Sequence, residues 1–75
     1  MEALTPCEAN HLRLLRLGLS VREAAKVVYR SPLTVCNHRA SIKRKITHEE
    51  WLEHEREGER ARDARMLDHA YIAAA

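Results

Sequence analysis

Apolar residues recur along this chain at helical spacing, and polar caps divide them into four segments. Leu12, Leu14, Leu15 and Leu17 crowd one stretch that ends at Gly18, a residue able to take the left-handed backbone that closes a helix. Upstream, Thr5-Pro6-Cys7-Glu8 is a capping box with proline at the first helical position. Its hydroxyl and carboxylate satisfy two orphan amide donors at once, so a first helix is expected to start here and stop near Leu17. Ser20-Val21-Arg22-Glu23 repeats the box and opens a short second helix, Val21 to about Val28, that buries Ala24, Ala25 and Val28. Tyr29-Arg30 then turns the chain.

Ser31-Pro32 caps a third helix, in which Val35, His38, Ile42 and Ile46 fall on one stripe directed at the core. If Val35 and Ile42 point inward, Leu33, Cys36, Asn37 and Ala40 point outward, flanked by Arg39, Lys43 and Arg44. Two helices joined by a tight turn, the second edged by basic residues, form the arrangement that sets a helix into a DNA major groove. Thr47-His48-Glu49-Glu50 caps a fourth helix. Glu53 to Arg60 carries no apolar residue and is interrupted by Gly58, a pattern that one long helix and two shorter ones both satisfy. Ala61, Ala64, Leu67 and Tyr71 then make a narrow stripe, with Glu59 and Arg62, and Arg65 and Asp68, as possible ion pairs. Such a stripe docks on its own domain or pairs with a second copy.

Seventy-five residues suffice for one domain, and a core without Phe, with one Trp and two Tyr, must be built from Leu, Val, Ile and Ala, which favours an all-α fold. The net charge of +2 hides a division. Residues 1–46 carry nine Lys and Arg against three Glu, whereas residues 47–75 carry four Arg against eight acidic groups. The basic front half points to a polyanion and the acidic back half to a solvated or protein-facing element. No apolar run reaches the roughly 18 residues of a membrane span, and the start has no basic and apolar leader pattern, so a soluble, cytoplasmic protein is expected. Cys7 and Cys36, far apart and outside any C-x-x-C pattern, read as two reduced thiols. Cys7 with His11, and Cys36 with His38, suggest a metal, but the pairs lie on different helices and lack finger spacing. No metal, no cofactor and no small-molecule ligand is expected. Without a phosphate loop, an H-E-x-x-H motif or a partnered nucleophile, catalysis finds no support.

Leu4-Thr5-Pro6, Glu8, Gly18-Leu19-Ser20, Glu23, Ala25, Ser31-Pro32, Thr34-Val35, Asn37-His38-Arg39, Ile42 and Arg44-Lys45-Ile46 together resemble the LuxR/GerE family of helix-turn-helix domains over residues 4–46. The resemblance implies an all-α, four-helix domain with an extended, charged C-terminal helix. Residues 1–46 would be the helix-turn-helix core of helices one to three. Residues 47–75 would be a C-terminal helical segment for dimerisation or partner binding. It further implies a transcriptional regulator that reads double-stranded DNA through its third helix, as a homodimer.

Position by position, the resemblance puts Cys36, Asn37 and Ala40 at base-facing sites, with Leu33 beside them, and Ser20, Arg22, Thr34, Arg39 and Lys43 where backbone contacts are made. Arg44 and Lys45 add phosphate attraction, and His38 either donates to a phosphate or packs as a hydrogen-bonded core histidine. The candidate dimerisation set is Trp51, Leu52, Ala64, Leu67 and Tyr71, of which Trp51 and Leu52 also suit a core. Cys36 stands where the family usually has lysine, and Arg30 where it has an apolar staple. Asn37 is then the principal base reader. The alternative is a protein-interaction module of the same fold that binds another regulatory protein.

Overall fold

In the computed structural model, which describes residues 3–74 and side chains as far as Arg65, the chain is all-helical. Its four helices are α1 (Pro6–Arg16), α2 (Val21–Val28), α3 (Pro32–Lys45) and α4 (His48–Ala74), and there is no strand among the described residues. Each start follows from its cap. The Thr5 and Ser20 hydroxyls accept hydrogen bonds from the amides of Glu8 and Glu23, whose carboxylates accept in return from the Thr5 and Ser20 amides, while Ser31 accepts from the amide of Thr34. At the fourth start the Thr47 hydroxyl accepts from the Glu50 amide at 3.1 Å and donates to the Glu50 carboxylate at 2.9 Å.

The two turns that matter for topology use left-handed residues. After α1, Gly18 (φ 81°) returns its amide to the Leu15 carbonyl, and the Leu19 amide reaches the Leu14 carbonyl, the double closure of a Schellman turn. After α2 the left-handed residue is Tyr29 (φ 55°), where glycine or asparagine is usual, and the Arg30 amide folds back to the Ala25 carbonyl at 3.0 Å. A three-residue link therefore suffices between α2 and α3.

α1 touches all three other helices, and α2 packs on α3. The core cluster is Leu14, Ala24, Ala25 and Val35, with Leu19, Val21 and Val28 packed around it. Ala24 is wholly buried and lets α2 come close to its neighbours. Ile42 extends the buried face of α3, and Trp51 anchors the start of α4.

α4 is one helix of 27 residues, about 40 Å long at 1.5 Å per residue. Gly58 does not break it, because the glycine marks a close approach to α1. A Cβ placed on Gly58 would fall far inside van der Waals contact with the Leu15 carbonyl oxygen, and one on Gly18 would meet the Gly58 carbonyl oxygen at 2.5 Å. The chain's two glycines thus face each other across the α1–α4 crossing. Arg62 and Arg65 donate to the Gly18 carbonyl at 3.3 and 3.0 Å, placing cations at the C-terminal end of α1, where the helix dipole favours them. Arg62 also pairs with Glu23 at 3.4 Å rather than with Glu59, and Arg16 with Glu57 at 3.6 Å. These pairs are half-exposed, so solvent screens them and they contribute little. No helix among the described residues is long and apolar enough to cross a membrane.

In an isolated helix Gly→Ala gains about 1 kcal/mol. At Gly58 the sign should reverse: Gly58→Ala must push α4 off α1 and is expected to destabilise by about 1–3 kcal/mol. Urea unfolding of the purified variant measures it.

Candidate nucleic-acid interface

The orientation of α3 is set by what grips its inner side. Taking Ile42 as the centre of that side, Val35, His38 and Ile46 lie within about 40° of it at 100° per residue, and Arg39 and Lys45 lie about 60° to either side. Val35 and Ile42 are fully buried, while His38, Arg39, Lys45 and Ile46 are half-buried.

The strongest polar grip is on Glu8. This residue is 4% exposed, yet its carboxylate is fully served. One oxygen accepts from the Thr5 amide at 2.9 Å and from the Lys45 ammonium at 2.7 Å, and the other from the Ser41 hydroxyl at 2.5 Å. One side chain thereby closes the N-terminal cap of α1 and binds the last turns of α3. The Lys45 bond first, then Ser41 and the Thr5 amide, hold its pKa down from the usual 4.5 to about 2.

Three expected DNA contacts are consequently turned elsewhere. Lys45 is committed to Glu8 and does not face outward. Arg39 reaches back into the α1–α2 turn, where its guanidinium donates to the Leu19 carbonyl at 2.9 Å, and its buried Nε has no partner among the described residues. Burial lowers its pKa, against the raising effect of Cys36 and Glu55. His38 stacks on His11, ring centroids 4.5 Å apart and planes 16° from parallel, and its Nε2 lies 3.8 Å from the Cys7 sulfur. It belongs to the inner face. His11 is 2% exposed, and burial first, then His38 and Arg39, lower its pKa, so the ring stays neutral near pH 7. The physical reason is common to all three: each lies within the arc that α1 and the α1–α2 turn cover, whatever its charge.

The opposite arc is open. Leu33 is 70% exposed, and Cys36, Asn37, Ala40 and Arg44 are exposed with it. Lys43 stands at the edge of this strip, its ammonium 5.4 Å from the centre of the Trp51 ring. Ser20 and Thr34 are half-buried at the starts of α2 and α3, their hydroxyls engaged with the Glu23 amide and the Ser31 hydroxyl. Arg22 is exposed, and so are Lys26 and Arg30, two cations absent from the expected set. Among the described residues Arg22, Lys26, Arg30, Lys43 and Arg44 make no ion pair. On α4, by contrast, Arg60 and Arg62 are paired with carboxylates.

The expected dimerisation set divides. Trp51 is 5% exposed in its own chain, with its indole N–H donating to Glu55, so it is a core residue and not a pairing surface. Position 51 lies in the first turn of α4, the helix that packs on α1, and its ring is met from α3 by the Lys43 ammonium. Leu52 is half-buried and Ala64 exposed, while the side chains of Leu67 and Tyr71 lie outside the described residues. Both cysteines are free and exposed.

Comparison with protein-family models, with characterised proteins and with solved structures finds no match.

The Glu8 hub has a definite pH signature. Its folded pKa lies below the unfolded value, so its contribution is complete above about 4.5 and is lost as pH falls toward about 2. Glu23, held down mainly by the Ser20 amide, acts in the same direction. Urea melts from pH 7 to 2 should show stability falling in that window. Glu8→Gln should be less stable at pH 7 and titrate more weakly below 4.5, the ordinary value for the group.

Proposed function

We propose that this chain is a double-stranded-DNA-binding module of the LuxR/GerE type that acts in transcription regulation, with α2 and α3 as its helix-turn-helix and α3 in the major groove. One observation carries the reading: among the described residues, α3 presents an exposed strip with no partner, bordered by cations that no carboxylate neutralises. On the strip, the Asn37 amide suits the paired donor and acceptor of an adenine edge. Leu33, Cys36 and Ala40 suit a thymine methyl. Arg22, Lys43 and Arg44, joined by Lys26 and Arg30, would attract phosphates, which position the protein without specifying sequence. Lys45 and Arg39 act indirectly, by holding the helix that carries the readers.

Pairing of two copies along α4 would place two such helices on a two-fold site. With Trp51 taken into the core, that surface would centre on Leu52 and Ala64. A second reading, docking on another regulatory protein, draws on the apolar groups that flank the α2–α3 turn: Val27 is 55%, Tyr29 93% and Leu33 70% exposed.

Fluorescence anisotropy with mixed-sequence duplex DNA tests the proposal. With about four phosphate contacts, affinity should fall roughly a hundredfold between about 50 and 200 mM salt. Arg44→Ala should reduce the salt slope by about one, and Asn37→Ala should cost about 1–3 kcal/mol on a selected site while sparing mixed sequence. Absence of binding at the lowest salt contradicts the proposal and favours the protein partner.

A further inference from the structure

Cys7 and His11 stand one helical turn apart on the same side of α1, and His38 comes to meet them from the inner side of α3. One ligand atom from each of the three falls within 4.8 Å of the others. We propose that Cys7, His11 and His38 form a transition-metal site, best suited to zinc(II), that fastens α3 to α1 and leaves a fourth coordination position on the solvent side of Cys7.

The donor set is one sulfur and two imidazoles, the soft and borderline ligands that zinc and the later first-row ions prefer, and it contains no carboxylate that would favour magnesium or calcium. In a tetrahedral zinc centre, bonds of about 2.3 Å to sulfur and 2.0–2.1 Å to nitrogen put the two donors about 3.6 Å apart. The Cys7 sulfur and the His38 Nε2 already stand 3.8 Å apart. His11 gives an independent sign. It is 2% exposed, and its buried Nδ1 has no hydrogen-bond partner among the described residues, an arrangement rare in folded proteins. Ligation through that nitrogen supplies the missing partner.

The stacked rings show what must move. Imidazole lone pairs lie in the ring planes, so two near-parallel rings converge on one ion only if one of them turns. His38 is half-buried and has the room, and exposed Cys7 swings with it, while buried His11 stays as the fixed ligand. Binding replaces the thiol proton by the metal: the S–H bond breaks, a sulfur–zinc bond forms and one proton leaves to solvent. Asn37, Ala40 and Arg44 lie on the other arc of α3 and take no part, so the site is independent of the DNA reading.

The test uses the full chain, reduced and stripped of metal, with no DNA present. Zinc(II) titration by calorimetry should show one ion per chain, and the melting temperature should rise with free zinc. Cobalt(II) should give a thiolate-to-metal charge-transfer band. Cys7→Ser, a change at an exposed position, should remove the band and weaken zinc by tenfold or more, roughly the scale of a lost site interaction. His38→Gln should weaken zinc similarly, and Cys36→Ser should leave both signals intact. No zinc-dependent shift in melting temperature, a band that survives Cys7→Ser, or one that vanishes with Cys36→Ser would each overturn the proposal.

Discussion

The carboxylate of Glu8 is the constraint on which the presentation of α3 depends. A buried carboxylate must be neutralised and hydrogen-bonded, or its desolvation opposes folding. Glu8 meets that demand with an amide from its own helix cap and with Ser41 and Lys45 from α3. Because Ser41 and Lys45 are one turn apart, satisfying Glu8 sets the rotation of α3 about its axis as well as its distance from α1. The hydrophobic face agrees with that rotation, since Val35 and Ile42 then enter the core and Leu33, Ala40 and Arg44 are carried to the far side. Polar and apolar demands thus select the same orientation, the consistency expected of a sequence with one native packing.

A second constraint is steric. The crossing of α1 and α4 is close enough that neither Gly18 nor Gly58 has space for a side chain, and Gly18 needs its positive φ besides. This explains why a helix of 27 residues tolerates a glycine near its middle. The same crossing delivers Arg62 and Arg65 to the end of α1, so the charged segment of α4 is tied to the body through backbone as much as through ion pairs. Tyr29 is the opposite case, a side chain 93% exposed on a left-handed backbone that glycine would adopt with less strain.

Much of this was legible in the residue order. Three capping boxes and Ser31-Pro32 locate all four helix starts, and the spacing of Val35, His38 and Ile42 gives the inner side of α3. Arg39 and Lys45 share one feature: their charge suits an outer surface, whereas their angular positions lie inside the covered arc. Counting 100° steps from Ile42 would have found them, and would have shown Lys45 beneath Glu8 once α1 and α3 were set side by side. The glycine crossing and the meeting of Cys7, His11 and His38 depend on distances between helices remote in sequence, which local spacing does not encode. The spacing argument against a metal, that the candidate ligands sit on different helices, loses its force where packing brings those helices together.

These constraints make α3 a clamped rod, and on the proposed function its outward strip, from Leu33 through Asn37 and Ala40 to Arg44, would be the surface that meets DNA. The most direct measurement is a two-dimensional amide NMR titration of the isotope-labelled chain with a short duplex. The account predicts that shifts concentrate in residues 32–44 of α3 and at the start of α2, with α1 and the Gly18–Gly58 crossing little changed. Shifts confined to α4, or none at any duplex concentration, would contradict it.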